Sequence, residues 1–175
     1  MKRSKSVRLV AMGTGLLLVT GCEEPMIDTA IFETAQQCET LGFSADECRA
    51  NYERAQDMHT GVAPKYAAQA DCEADFGAEQ CEVAPQQTAS GGSVFMPLMM
   101  GYMMGSMMSG NNRSPAQPLY RSRDDRAAFR TADNRNVGAQ TGRVQVARSA
   151  AAAPSVKTRT IARGGFGSSA RSVAG

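Results

Sequence analysis

Four cysteines, Cys38, Cys48, Cys72 and Cys81, fall as two short pairs inside an internal duplication, and no other feature restricts the fold as tightly. Phe32 precedes Cys38 by six residues, and Tyr66 precedes Cys72 by six. Glu39 and Glu73 follow the respective cysteines, then Phe43 and Phe76, then Ala45 and Ala78, and Cys48 and Cys81 close the copies. The first cysteines of the two copies are 34 residues apart, so each copy carries its own pair. Local bridging, Cys38 to Cys48 and Cys72 to Cys81, is the economical reading. A loop this short constrains the unfolded chain by ~2–3 kcal/mol per bridge. A four-thiolate zinc site normally uses cysteines two to four residues apart, and a redox dithiol would read Cys-x-x-Cys. The wider gaps here point to structural disulfides.

Disulfides persist in an oxidising compartment, and the leader supplies one. Lys2, Arg3, Lys5 and Arg8 precede an apolar run from Leu9 to Val19, the layout of a secretory signal too short for a spanning helix. Val19-Thr20-Gly21-Cys22 ends it as a bacterial lipobox, in which small residues precede the thiol that receives a diacylglycerol. Cys22 is thus the expected lipidation site, which also accounts for the odd fifth cysteine. One acyl chain holds a protein marginally and several hold it stably. Glu23, rather than Asp, in the next position favours the outer membrane, facing the periplasm. Export excludes chemistry driven by cytoplasmic ATP and excludes nucleic acid as a partner.

The charge is partitioned. Residues 22–90 carry fourteen acidic side chains against Arg49, Arg54 and Lys65, whereas 111–175 carry eleven arginines and Lys157 against Asp124, Asp125 and Asp133. In the acidic part, Ile27, Ile31, Ala35, Cys38 and Leu41 recur at helical spacing up to Gly42. Ser44-Ala45-Asp46-Glu47 forms a capping box for a second helix ended by Gly61 and Pro64, and a third runs from about Gln69 to Phe76, stopped by Gly77. The expected fold is small and all-α, built of disulfide-stapled short helices. A Met/Gly-rich segment and a largely disordered Arg/Ser/Ala-rich tail are expected to follow, because apolar residues are few from Ala84 onward. The expected division is a signal peptide at 1–21, an acidic helical domain at 22–90, the Met/Gly segment at 91–110 and the basic tail at 111–175.

The Met/Gly segment spaces methionine pairs and Gly101, Gly105 and Ser109 every four residues. On a helix the small residues form a stripe suited to close backbone approach, and so to self-association, amid soft apolar methionines. Sixteen residues from Phe95 to Gly110 would span ~24 Å, short of a bilayer core. The alternative is Cu(I), which thioethers suit, taken up by Met96 to Met108. The tail arginines are expected to meet anionic lipid headgroups, an anionic glycolipid, an envelope protein or the acidic half of the same chain. His59, the one histidine, has no adjacent nucleophile and reads as a helix-end residue. No catalytic set, cofactor motif or metal-ligand spacing emerges, so the expected role is non-enzymatic.

Together the lipobox, Ala63-Pro64-Lys65-Tyr66, Asp71-Cys72-Glu73-Ala74-Asp75-Phe76-Gly77, Phe95-Met96-Pro97-Leu98-Met99-Met100-Gly101-Tyr102-Met103-Met104-Gly105 and Arg163-Gly164-Gly165-Phe166-Gly167 resemble the YgiB family of bacterial lipoproteins. The order matches over most of the chain, most weakly between Asn111 and Ile161. The resemblance implies an uncharacterised envelope protein. Members of that family are often encoded beside a protein of the glutathionylspermidine-synthase-like ATP-grasp class, and some are associated with biofilm behaviour. It carries over no catalytic residue.

Overall fold

The computed structural model describes residues 24–88, 91–105, 115–168 and 170. The lipobox, including Cys22, and the stretch from Ser106 to Ser114 lie outside them. The fold is mostly β, which corrects the all-α expectation. In chain order the elements are β1 (Met26–Phe32), α1 (Ala35–Thr40), α2 (Ala45–Val62), β2 (Lys65–Tyr66), α3 (Gln69–Phe76), β3 (Cys81–Gln87), β4 (Ser93–Pro97), β5 (Gly101–Met103), β6 (Gln117–Tyr120), β7 (Phe129–Thr131), β8 (Asn136–Gly138), β9 (Gly142–Ala147), α4 (Arg148–Ala151) and β10 (Thr160–Ile161). A six-stranded sheet has the order β8-β7-β6-β5-β1-β9, and a four-stranded sheet the order β10-β2-β4-β3.

The first expected helix, from Ile27 to Leu41, holds only over Ala35–Thr40, and its first half is β1 for a simple reason. Ile27 and Ile31 are four apart, and four is a multiple of the strand period as well as close to the helical one. The β-branched Ile27, Thr29 and Ile31 favour the pleated alternative, and long-range pairing secures it. Met26 to Ile31 pair antiparallel with Ala147 to Gly142, and Ile31 and Phe32 pair with Met103 and Tyr102. The alternation then sorts the side chains. Ile27 and Ile31 point into one core with Met103, Leu119, Phe129, Val137 and Val146. Ala30 and Phe32 point the other way, against Cys38, Cys48, Ala55, Tyr102 and Met104. Val137 of edge strand β8 and Val146 of the opposite edge strand β9 share the first core, so the sheet curls toward closure, and Ala150 and Ala151 of α4 plug one end.

The two helices expected next are present. Ser44 caps α2 by accepting from the Glu47 amide at 3.2 Å. Gly77, at φ +106, ends α3 in a conformation open to glycine. The duplication is also physical. In each copy a strand ends on a buried aromatic, Phe32 or Tyr66, a helix starts three residues later, and a positive-φ glycine, Gly42 or Gly77, follows it. The copies then diverge, because Cys48 sits on α2 and Cys81 opens β3. The bridges are the local ones: Cys38–Cys48 with Cα atoms 5.7 Å apart, and Cys72–Cys81 at 6.3 Å.

Two further expectations are corrected. The Met/Gly segment supplies β4 and β5 rather than a helix. Gly101 is needed there for space: a Cβ would lie 2.8 Å from the Phe32 carbonyl oxygen and 3.1 Å from the Phe129 ring. The basic tail is not a disordered appendage, since residues 115–168 provide β6 to β10 and α4. Its apolar residues are few because its strands are short and borrow their core from the acidic half. Leu119, Phe129, Val137 and Val146 close around Ile27 and Ile31, while Arg143 and Gln145 face outward. The large sheet thus draws strands from the segments at 22–90, 91–110 and 111–175 alike.

Candidate functional site

Three of the motifs that carry the family resemblance, Ala63–Tyr66, Asp71–Gly77 and Arg163–Gly167, meet around one carboxylate. Asp75, on α3, is 7% exposed. Its Oδ1 accepts from the Gly164 amide at 2.6 Å, and its Oδ2 accepts from the amides of Gly165 at 3.1 Å and Phe166 at 3.2 Å. The Tyr66 hydroxyl donates to the same Oδ2 at 2.8 Å. Burial, then the charge and hydrogen bond of Asp75, push the Tyr66 pKa far above its ordinary range, so the phenol remains a donor. Three successive amides around one anion form the kind of concave nest that backbone N–H groups make for a phosphate. Here the chain supplies its own anion.

Phe166 then seats its ring 4.7 Å from Phe76 and 6.2 Å from Tyr120. Gly167, at φ +96, exchanges hydrogen bonds with the Asn134 side chain at 3.0 and 2.9 Å. Arg130 donates to Ser168 at 2.7 Å and to Asn134 at 3.2 Å. The sequence reading missed this lock. The signal available was that Asp71–Gly77 and Arg163–Gly167 were each distinctive, without anything to say that they touch.

Above the same core runs a buried polar chain. His59 Nδ1 lies 2.9 Å from the Tyr120 hydroxyl and Nε2 lies 3.1 Å from Glu82 Oε1. The neutral tautomer with the proton on Nε2 satisfies all three, with Tyr120 donating to Nδ1 and His59 donating to Glu82. Burial holds the His59 pKa below its ordinary value of 6.5, against the opposing hydrogen bond and charge of Glu82. Below about pH 6.5 the unfolded chain therefore binds a proton that the folded chain resists. His59 contributes its stability in full above that pH and loses it as the pH falls toward its depressed folded value. The slope is at most about 1.4 kcal/mol per pH unit. Thermal melts at pH 7.5 and 5.0 should show a larger drop for the native chain than for His59→Gln; equal drops would remove His59 from the account. His59 lies in the last turn of α2, as the sequence implied, and both ring nitrogens are engaged.

A cleft of 760 Å³ opens beside β1 and β9. Its walls include Asp28, Phe43, Glu47, Met104, Arg143 and Gln145. Arg143 lies with its guanidinium carbon 4.7 Å from the Phe43 ring centre, and Gln145 donates to Asp28 at 3.0 Å. Two carboxylates, one guanidinium and an aromatic face equip this cleft for polar and stacking contacts.

The three buried methionines of the segment lie in three different cores. Met96 is buried with Tyr66 and Tyr120, Met103 with Ile31 and Leu119, and Met104 with Cys38 and Tyr102. Met107 and Met108 lie outside the described residues, and among the described residues no cluster of His, Cys, Asp or Glu could hold a metal. Gly101 and Gly105 do not form a helical stripe. Gly101 opens β5, and the Gly105 amide donates to Asn51 Oδ1 at 3.2 Å, while Ser109 is outside the described residues. No described helix is long and apolar enough to cross a membrane.

Among the described residues, Arg121 donates to Glu33 Oε1 at 2.8 Å and Arg143 lies over the Phe43 ring, so tail arginines reach the acidic half. Most of the joining is by backbone: the β1–β9 ladder, the Ser149 amide on Glu24 at 2.6 Å, and the three amides on Asp75.

The profile of a family described as a protein of unknown function (DUF1190) matches residues 27–175. A UPF0441 protein of Sodalis glossinidius (strain morsitans) is 40% identical over 172 residues, covering 90% of this chain and 79% of the relative. One from Erwinia tasmaniensis is 34% identical over 172 residues, covering 89% and 77%. One from Klebsiella pneumoniae (strain 342) is 36% identical over 173 residues, again covering 89% and 77%. No solved structure matches the chain.

Proposed function

This chain belongs to the DUF1190 family of proteins of unknown function, the YgiB-like proteins that its motifs resemble, and we propose that it is a lipid-anchored protein of the bacterial cell envelope that works by binding. The observation that carries the reading is Val19-Thr20-Gly21-Cys22 at the end of a positively flanked apolar run. The two disulfides support it, because such bridges persist in exported proteins. Glu23 at the following position favours the outer membrane, facing the periplasm. The binding role is supported by how the interior polar groups are used. His59 is engaged by Tyr120 and Glu82, and Asp75 accepts from Tyr66 and three backbone amides, while the cleft beside Arg143 presents contact groups.

Cys22→Ser tests the anchor. The variant should leave the membrane fraction and lose the acyl mass of the mature N-terminus. A variant that stays membrane-bound and fully processed would refute lipid anchoring.

A further inference from the structure

If the chain is anchored at Cys22, its folded body has almost no leash. One residue, Glu23, separates the anchor from Glu24, which is fastened into the fold. Glu24 Oε1 accepts from the Ser149 amide at 2.6 Å, and the Pro25 carbonyl accepts from the Arg148 amide at 3.0 Å. Met26 then enters the ladder opposite Ala147. Two residue steps reach at most ~7 Å, whereas a domain of this length has a radius of gyration of ~15 Å. The body cannot roll freely on so short a connection.

The geometry points to a fixed membrane-facing surface: the end of the curled sheet plugged by α4, bearing Met26, Arg135 and Arg148, lies against anionic lipid headgroups. This rests on the lipid-anchor reading. Met26 is 56% exposed there, an apolar side chain beside the chain's exit point. Arg148 and Arg135 are exposed. Arg135 is close enough to Glu24 for its charge to help lower that carboxyl's pKa, after the hydrogen bonds from Ser149. Glu24, the first described acid after the anchor, is thus already partnered by the Ser149 amide, and the exposed guanidinium groups are left to meet phosphate. Each basic residue held near an anionic surface raises partitioning about fivefold. The opposite end of the sheet, where Leu41 packs beside Gly142, would face away from the bilayer together with Thr40.

The test uses the full acylated protein in vesicles of phosphatidylethanolamine and phosphatidylglycerol, with a nitroxide at Met26→Cys or at Thr40→Cys and the four native cysteines left in their disulfides. An intact mass establishes the acyl chains first. The expected result is a Met26 label shielded several-fold from a water-soluble relaxation agent and a Thr40 label fully open to it. Acylated protein with both labels equally open would overturn the orientation while leaving the anchor standing. A mature N-terminus without acyl mass would overturn the anchor and, with it, this surface.

Discussion

Asp75→Ala should lower stability by about 3 kcal/mol, on the order of 10 °C in melting temperature for a chain of this size. The carboxylate is the single acceptor for the Tyr66 hydroxyl and for the amides of Gly164, Gly165 and Phe166. Water can replace it at Gly164 and Gly165, which are exposed, but not at Tyr66 or Phe166, which are buried. Two buried donors without partners cost about 1–3 kcal/mol each. The Phe166 ring would then lose its placement against Phe76 and Tyr120. Tyr66→Phe provides the scale, because it removes one donor together with its need for a partner and should cost about 1 kcal/mol. Calorimetric melts of the three proteins separate the cases. An Asp75→Ala melt no lower than that of Tyr66→Phe would mean that the loop is held by its aromatic ring alone.

Removing a disulfide should cost nearly as much. Cys72→Ala with Cys81→Ala releases a loop whose ends are nine residues apart, and the Cys38–Cys48 pair spans ten. Chain-entropy arithmetic gives about 2–3 kcal/mol for each. The loops do not overlap in sequence, so both removals together should approach 5 kcal/mol, the lower end of a typical domain's total stability. Urea unfolding should therefore show each double variant displaced by a similar amount. The four-cysteine variant, or the native chain under reductant, should be largely unfolded at 37 °C. A reduced chain that melts with the oxidised one would show that the sheets carry the fold without the bridges.

What the sequence made legible was what local signals encode. The capping box at Ser44, the stop at Gly77 and the paired cysteines each depend on residues within one turn or one loop, and each has a distinct chemical signature. What it hid was long-range pairing. Met26–Phe32 carries apolar residues at a spacing common to helix and strand, and its partners lie more than seventy residues away in Gly101–Met103 and further still in Gly142–Ala147. The regular Met/Gly spacing invited a helix, whereas Gly101 is small because a strand crosses the Phe32 carbonyl and the Phe129 ring. Composition misled most in the basic half. Its sparse apolar residues were too few for a core of their own, and Leu119, Phe129, Val137 and Val146 prove to be one wall of a core begun by Ile27 and Ile31. Asp75 was invisible for a related reason: in an acidic helix it was one carboxylate among fourteen. Nothing in Asp71–Gly77 alone says that its third acid faces inward toward Tyr66 and Gly164–Phe166.

The basic half is folded into the acidic one, with the Gly-Gly-Phe loop closed on Asp75. Hydrogen exchange of the oxidised, full-length chain, read at the amides of Val144, Val146 and Phe166, should therefore show protection at all three. Asp75→Ala should lose protection at Phe166. Exchange at unfolded-chain rates from β6 onward in the native protein, with protection confined to α2 and α3, would contradict this arrangement.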